Sequence, residues 1–275
     1  TGDAASTGGG KSKRYVLNPD NYHIGVILLS RYETEYRIVC AGLDLSGNTV
    51  TEFSESYENA AMKDIEGSVE RLLEADPMIG VLCFSIPGIV SDGVIGVSDY
   101  ECLRNTDFGK VVRKKWNLPY VMENDVNVCA SEFSMRCHQK NAVFVYQPQA
   151  EYTGCGIVIR GRIYRGFSGA AGEVRYLPAY SEEEQNRLLK ENPERLLREQ
   201  IISLCAVLNP SAVGYRSDVF SQRIDLTDSG LPEEHRPELI RIDDIHDLMK
   251  NGLFTLGKTY KLELLRGSRE GKHAG

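Results

Sequence analysis

Three short segments carry the side chains best suited to chemistry in this chain. Glu123-Asn124-Asp125-Val126-Asn127 sets four polar side chains into an apolar surrounding. One Asn or Asp can cap a following helix. The surplus is what a polyhydroxylated ligand requires, because each hydroxyl both donates and accepts a hydrogen bond. Gly166 to Glu173 (GFSGAAGE) is a run of small residues ending in a lone carboxylate. Small residues admit close approach of backbone or ligand, and Glu173 offers two acceptor oxygens; a surface loop with a solvated Glu is the competing reading. Ser85 to Val90 is apolar and turned by Pro87-Gly88, where backbone can come near a ligand, a plain turn being the alternative.

Each segment falls at the end of an expected strand. Residues His23 to Leu29, Arg37 to Leu45 and Thr49 to Ser56 are β-rich, and Ser46-Gly47-Asn48 is a turn, so an antiparallel meander is expected. Met62, Ile65, Val69, Leu72 and Leu73 recur at helical spacing, and a buried strand over Gly80 to Ser85 follows. Strand, helix, strand implies a parallel crossover. A helix over Asp107 to Trp116, a strand over Tyr120 to Glu123 and a helix to about Cys137 come next. Strands return at Ala142 to Tyr146, Gly154 to Arg160 and Arg162 to Arg165, then helices at Glu182 to Glu191 and Pro193 to Leu208. Ile245, Leu248, Met249, Leu253 and Leu256 form one apolar stripe near the C-terminus, and the tail after Leu265 reads as frayed. The same pattern in two successive halves predicts two α/β lobes facing a cleft, where ligands bind.

Composition narrows the function classes. The chain has 275 residues, 32 Lys plus Arg against 39 Asp plus Glu and a net charge of −7, which argues against a basic nucleic-acid surface on this chain itself. Its 41% hydrophobic and 26% charged residues are globular values. No apolar stretch approaches the roughly 20 residues of a membrane span. Seven cysteines without a C-x-x-C pair fit a reducing compartment, hence a cytoplasmic protein, better than a disulfide or zinc scaffold. His138, His235 and His246 have no partners at ligand spacing and read as surface or satisfied histidines.

Taken together, the three segments resemble the ROK family of repressors, open reading frames and sugar kinases. Ile86-Pro87-Gly88 is similar to the family's strand ending in Pro-Gly, Glu123 to Asn127 matches its E-N-D-x-N segment, and Tyr164 to Glu173 matches Y-R-G-x-x-G-x-x-G-E. The resemblance implies an α/β, actin-like (ribonuclease H-like) two-lobe fold with a ligand cleft between the lobes. The expected division is a linker over 1–21, a first lobe over 22–122 on which a helix at about 244–265 packs back, and a second lobe over 123–243. It also implies a sugar held by Gly88, Asn124, Asp125 and Glu173. In kinase members the residue matching Asp125 is the general base.

Departures from the family pattern point away from catalysis. Kinase members carry Asp-x-Gly-Gly-Thr after the first strand; here the stretch reads Val26-Ile27-Leu28-Leu29-Ser30-Arg31, and its aliphatic side chains are expected to crowd the phosphates. A second glycine-rich loop survives only as Gly154-Cys155-Gly156, preceded by Glu151, which would repel phosphate. The family's Gly-Gly near the adenosine is replaced by Val213-Gly214-Tyr215-Arg216. Tyr176 stands where the family has a sugar-contacting His, and is expected to stack on the sugar. The three-Cys zinc motif that usually follows is absent, so neither metal nor cofactor is expected. Gly8-Gly9-Gly10-Lys11 and Leu17-Asn18-Pro19-Asp20 resemble the junction between a winged helix-turn-helix domain and the sugar domain in regulator members. The expected function is therefore a ROK-type transcriptional regulator's carbohydrate-sensing and dimerisation domain without kinase activity. Its partners would be a sugar or sugar-phosphate effector, a second copy of itself, and operator DNA through a domain absent from this chain. An ATP-dependent sugar kinase with a remodelled phosphate site is the alternative.

Overall fold

The computed structural model describes residues 2–3, 13–14, 18–32, 35–149 and 152–270. Most of the expected linker, including Gly8 to Lys11 and Leu17, lies outside these residues, as does Glu151. Within it, Gly2–Asp3 (β1) pairs antiparallel with Lys13–Arg14 (β2).

The first five-stranded sheet has the order β10-β6-β3-β4-β5. Its strands are His23–Tyr32 (β3), Glu35–Leu43 (β4), Thr49–Tyr57 (β5), Ile79–Ile86 (β6) and Tyr120–Asn124 (β10). β3, β4 and β5 form the expected antiparallel meander, while β6 and β10 lie parallel to β3. The continuous apolar run of β3 follows from burial on both faces. Ile27 and Leu29 pack with Ile65, Val69 and Leu72 of helix α1 (Met62–Ala75), whereas Ile24, Val26 and Leu28 pack with Leu248, Met249 and Leu253 of helix α6 (Ile245–Glu270). The crossover from β6 contains a small three-stranded sheet, β7 (Gly88–Ser91), β8 (Val94–Ser98) and β9 (Thr106–Asp107), and helix α2 (Phe108–Trp116), capped by Asp107.

The second sheet repeats the arrangement as β13-β12-β11-β14-β15. Here Ala142–Gln147 (β11), Gly154–Ile159 (β12) and Arg162–Ile163 (β13) are the meander, and Ala212–Ser217 (β14) and Glu238–Arg241 (β15) add parallel to β11. Helix α3 (Asp125–Arg136) covers one face; helices α4 (Glu182–Glu191) and α5 (Pro193–Leu208) belong to the other side, where Leu197 and Ile201 meet Val143 and Val145. The repeat gives the α/β, actin-like two-lobe fold expected from the resemblance.

One hydrophobic cluster joins residues of both sheets, Ile24 and Cys83 with Phe144 and Ala212, through Val128 and Phe133 of α3 and Leu248 and Leu253 of α6. Helix α6 comes close on two sides because it carries glycines there: a Cβ on Gly252 would collide with Val128, and one on Gly257 with Cys83 and Ile24. Two expectations change: the C-terminal helix runs through residues 266–270 rather than fraying after Leu265, and the strand expected over Arg162 to Arg165 stops at Ile163. Strands β1, β2, β7, β8, β9, β14 and β15 had no expectation. All seven cysteines are free thiols. Among the described residues, no helix is long and apolar enough to cross a membrane.

Candidate functional site

Strand β10 delivers Glu123 and Asn124 to the sheet edge, and α3 begins at once with Asp125. The four polar side chains of this segment divide their work. Asn124 is the helix cap: its side-chain oxygen accepts from the backbone N–H of Asn127 at 3.0 Å. Glu123, almost fully buried, accepts from the Asn124 N–H at 2.9 Å and from the Asn127 side-chain amide at 3.0 Å, and its second oxygen takes the guanidinium of Arg165. The surplus attributed to a ligand is thus partly spent internally. Asn124 and Asp125 remain directed to the cleft.

That cleft, a cavity of about 140 Å³, is walled by both lobes. Gly88, Asn124, Asp125 and Glu173 line it together. The side-chain amide of Asn124 donates to the Gly88 carbonyl and to Asp125, each at 3.0 Å. Asp125 accepts the Val126 N–H at 2.9 Å. Although part of its surface opens into the cleft, protein surrounds it, and burial, then the negative charges of Asp99 and Glu173, push its carboxyl up to about 7. A carboxyl poised near neutrality can hold or accept a proton from a hydroxyl.

Tyr176 is not among the cleft-lining residues. It is 71% exposed, on the one-turn 3-10 helix Val174–Tyr176, and its ring lies 4.7 Å from the guanidinium carbon of Arg175. The expectation that it stacks on a sugar is corrected: it backs Arg175, which lines the cleft in its place. Arg175 also lies 5.2 Å from the ring centroid of Tyr152 and reaches Glu173 at 3.3 Å.

Sequence reasoning missed Asp99 and His246. Asp99 follows β8, and its loop is fastened to the Pro-Gly turn by two bonds to the Pro87 carbonyl, from the Asp99 N–H at 3.0 Å and the Ser98 hydroxyl at 2.9 Å. A Pro-Gly carbonyl that needs donors was the only local signal. His246 reaches the cleft because α6 starts there. Burial, then the charge of Arg37, hold it below its usual value against Asp244 and Asp218.

The phosphate side differs from expectation in how it is built. Ile27 and Leu29 do not crowd the cleft; they are buried in the first-lobe core. The change lies in the backbone: β3 runs straight on to Tyr32 and pairs with β4 at Leu29↔Ile38, Ser30↔Arg37 and Arg31↔Tyr36. Extended strand backbone does not curl into the concave nest of successive N–H groups that cradles phosphate. Gly154 to Gly156 are likewise paired in β12 with Tyr146 to Phe144, and residues 213–216 lie in β14 between two neighbours. Ser30 and Arg31 are what β3 presents to the cleft.

Comparison with known proteins places this geometry among relatives. The ROK family profile matches residues 37–212. A xylose repressor of Lactiplantibacillus pentosus is 29% identical over 96 residues, 34% of this chain and 24% of that repressor. The chain thus spans about a quarter of the length of the curated relatives it matches. Among solved structures, a ROK family transcriptional regulator described as a homologue of the E. coli MLC protein superposes with TM-score 0.63 at 15% identity, covering 88% of this chain and 82% of that one. A ROK family glucokinase from Streptomyces griseus, in complex with glucose and AMPPNP, gives TM-score 0.65 at 14% identity over 86% of this chain and 99% of that one. At these identities the superpositions speak for the fold.

Proposed function

The chain belongs to the ROK family, and from that premise we propose that it is the carbohydrate-sensing and dimerisation domain of a transcriptional regulator without kinase activity. One observation carries the reading: Gly88, Asn124, Asp125 and Glu173 share one cleft, while the stretches matching the family's phosphate-binding segments run as strands β3, β12 and β14. Losing a preorganised phosphate contact commonly costs a factor of about 100 in rate. The matches to xylose repressors support the regulator branch.

In this reading a sugar bridges the lobes through Asn124, Asp125 and Glu173 and favours one closure over another, which it can do only by binding the two closures with different affinity. In a pair of chains, a change of closure resets the distance between two DNA-binding domains and so their fit to operator half-sites. The setting is cytoplasmic, where free thiols persist.

The second reading, an ATP-dependent sugar kinase, draws on Asp125, whose carboxyl near 7 suits a general base. A coupled assay for ADP release with magnesium ATP and a panel of hexoses, pentoses and amino sugars separates the two. The regulator predicts silence together with sugar-dependent thermal stabilisation; turnover that vanishes in Asp125→Asn establishes the kinase.

A further inference from the structure

Strand β5 is an outer strand of the first sheet, and its nine residues make it the longest edge of the two five-stranded sheets; β10, β13 and β15 offer five, two and four. Shortness protects an edge, because few backbone groups are left to recruit another chain. β5 lacks that protection. Its residues are exposed or half-buried and none is buried, and among the described residues no strand lies beyond it. The outward N–H and C=O groups of Thr49–Tyr57 therefore stand along an open edge.

Other devices that blunt an edge are missing as well. The sequence TVTEFSESY has no proline and no lysine. Its two carboxylates are answered from within the chain: Arg71 of α1 holds Glu55 at 2.9 Å, and Lys250 of α6 holds Glu52 at 2.9 Å. The one irregularity of its pairing lies at the hairpin end, where Gly42 pairs with Thr51 and Leu43 with Thr49. Residues 51–57 run in unbroken register with β4.

An antiparallel copy of that straight stretch fits it. A twofold axis normal to the sheet keeps each side chain on its own face, so opposed residues share parity and Glu52 never stands opposite the partner's Glu55. Centred on Ser54, the middle of the stretch, the pairing sets Glu52 against the partner's Ser56, Phe53 against the partner's Glu55 and Thr51 against the partner's Tyr57. No like charges are opposed. The Arg71 guanidinium carbon lies 4.3 Å from the Phe53 centroid, on the face where the partner's Glu55 arrives. A charge pattern complementary to itself favours a second copy of the chain over a foreign strand.

We propose that two copies of this chain join β5 to β5, antiparallel about Ser54, into one continuous sheet. The inference rests on the reading of the chain as a dimerisation domain and names the surface. No residue of β5 lines the cleft, so the carbohydrate site stays open in the pair.

Sedimentation and mild oxidation of the full chain test this. Opposed Cα atoms in an antiparallel ladder are about 4.5 to 5.5 Å apart, within disulfide reach. Ser54→Cys is therefore expected to form an intermolecular disulfide. Ser56→Cys, on the same exposed face, is not, because four residues of strand, about 13 Å, separate it from its own copy. The parent chain with its seven free thiols is the blank. Ser54→Glu combined with Ser56→Glu opposes glutamates along the axis and should weaken self-association about 10-fold or more, while an unchanged circular dichroism spectrum reports an intact monomer. Self-association that survives the double variant, or oxidation that links Ser56→Cys as readily as Ser54→Cys, overturns the β5 assignment alone. A chain that sediments as a monomer at every concentration overturns the dimerisation reading with it.

Discussion

The side-chain amide of Asn124 donates to the carbonyl oxygen of Gly88 across 3.0 Å, fastening the start of α3 to the turn that ends β6. Since its oxygen also caps α3, a single residue holds the helix and both cleft-lining segments in register. This makes Asn124 a positioning group as much as a ligand contact.

Asn124→Ala removes both bonds and should lower stability by about 1–3 kcal/mol, combining the loss of a cap with that of a buried hydrogen bond. Asn124→Asp keeps the cap, gives up the donor to Gly88 and sets a second carboxylate against Asp125. It should lose less stability than the alanine variant yet bind carbohydrate more weakly than the parent. Urea denaturation with unchanged m-value, run beside titration of the bound sugar, checks the pair.

The Asp125 carboxyl is pushed up to about 7, whereas in an unfolded chain it titrates at about 4. Between those values the folded form keeps a proton that the unfolded form has lost. Its contribution to stability is therefore fully present below about pH 4 and is lost as pH rises through about 7. Asp125→Asn should flatten the profile in that window, so that its stability relative to the parent improves from pH 4 to pH 8. Parallel urea midpoints across that range would count against the assigned shift.

Arg165 is half exposed, but its partner Glu123 is buried, with 3% side-chain exposure. Arg165→Ala leaves that carboxylate without its cation and should cost about 1–3 kcal/mol, less than a fully buried pair because water reaches the arginine side. Glu123→Gln combined with Arg165→Ala should restore part of the loss. A double-mutant cycle in chemical denaturation reads the coupling.

Gly172 has φ +96°, and a Cβ on it would run into the carbonyl oxygen of Cys155 in β12. Gly172→Ala must move the loop that carries Glu173, at about 1–3 kcal/mol. Carbohydrate affinity should fall further than for Ala170→Gly in the same loop. Comparison of thermal midpoints with and without sugar separates the stability cost from the binding cost.

The meander strands, α1, α3 and α5 were legible because each follows from local pattern, an apolar run or a helical stripe, whereas the meeting of Asn124, Asp125 and Glu173 was implied by the family resemblance and not by any local pattern. Asp99 and His246 were not legible, because what brings them to the cleft is distant in sequence, the Pro87 carbonyl for one and the return of α6 for the other. In β15 (ELIR) Glu238 is exposed and the other three residues are partly buried, and four residues are too few to announce a strand. Tyr176 was placed at the right position in the chain but with the wrong direction. Motif order locates a residue, whereas the short 3-10 turn beginning at Val174 decides where its ring points. The aliphatic run of β3 was likewise misread as an obstruction; alternation on a strand sent Ile27 and Leu29 into the core, and the straight course of β3 to Tyr32 is what differs from a phosphate-binding turn.

Helix α6 is translated after both sheets yet covers strands made before the second lobe. While the ribosome works through the second lobe, the α6-facing side of β3 and β6, with Ile24, Val26 and Cys83, lacks its cover. The nascent first lobe therefore waits, unfinished, for α6 to emerge, and a chain interrupted ahead of Ile245 would display that sticky surface to chaperones and proteases instead of maturing.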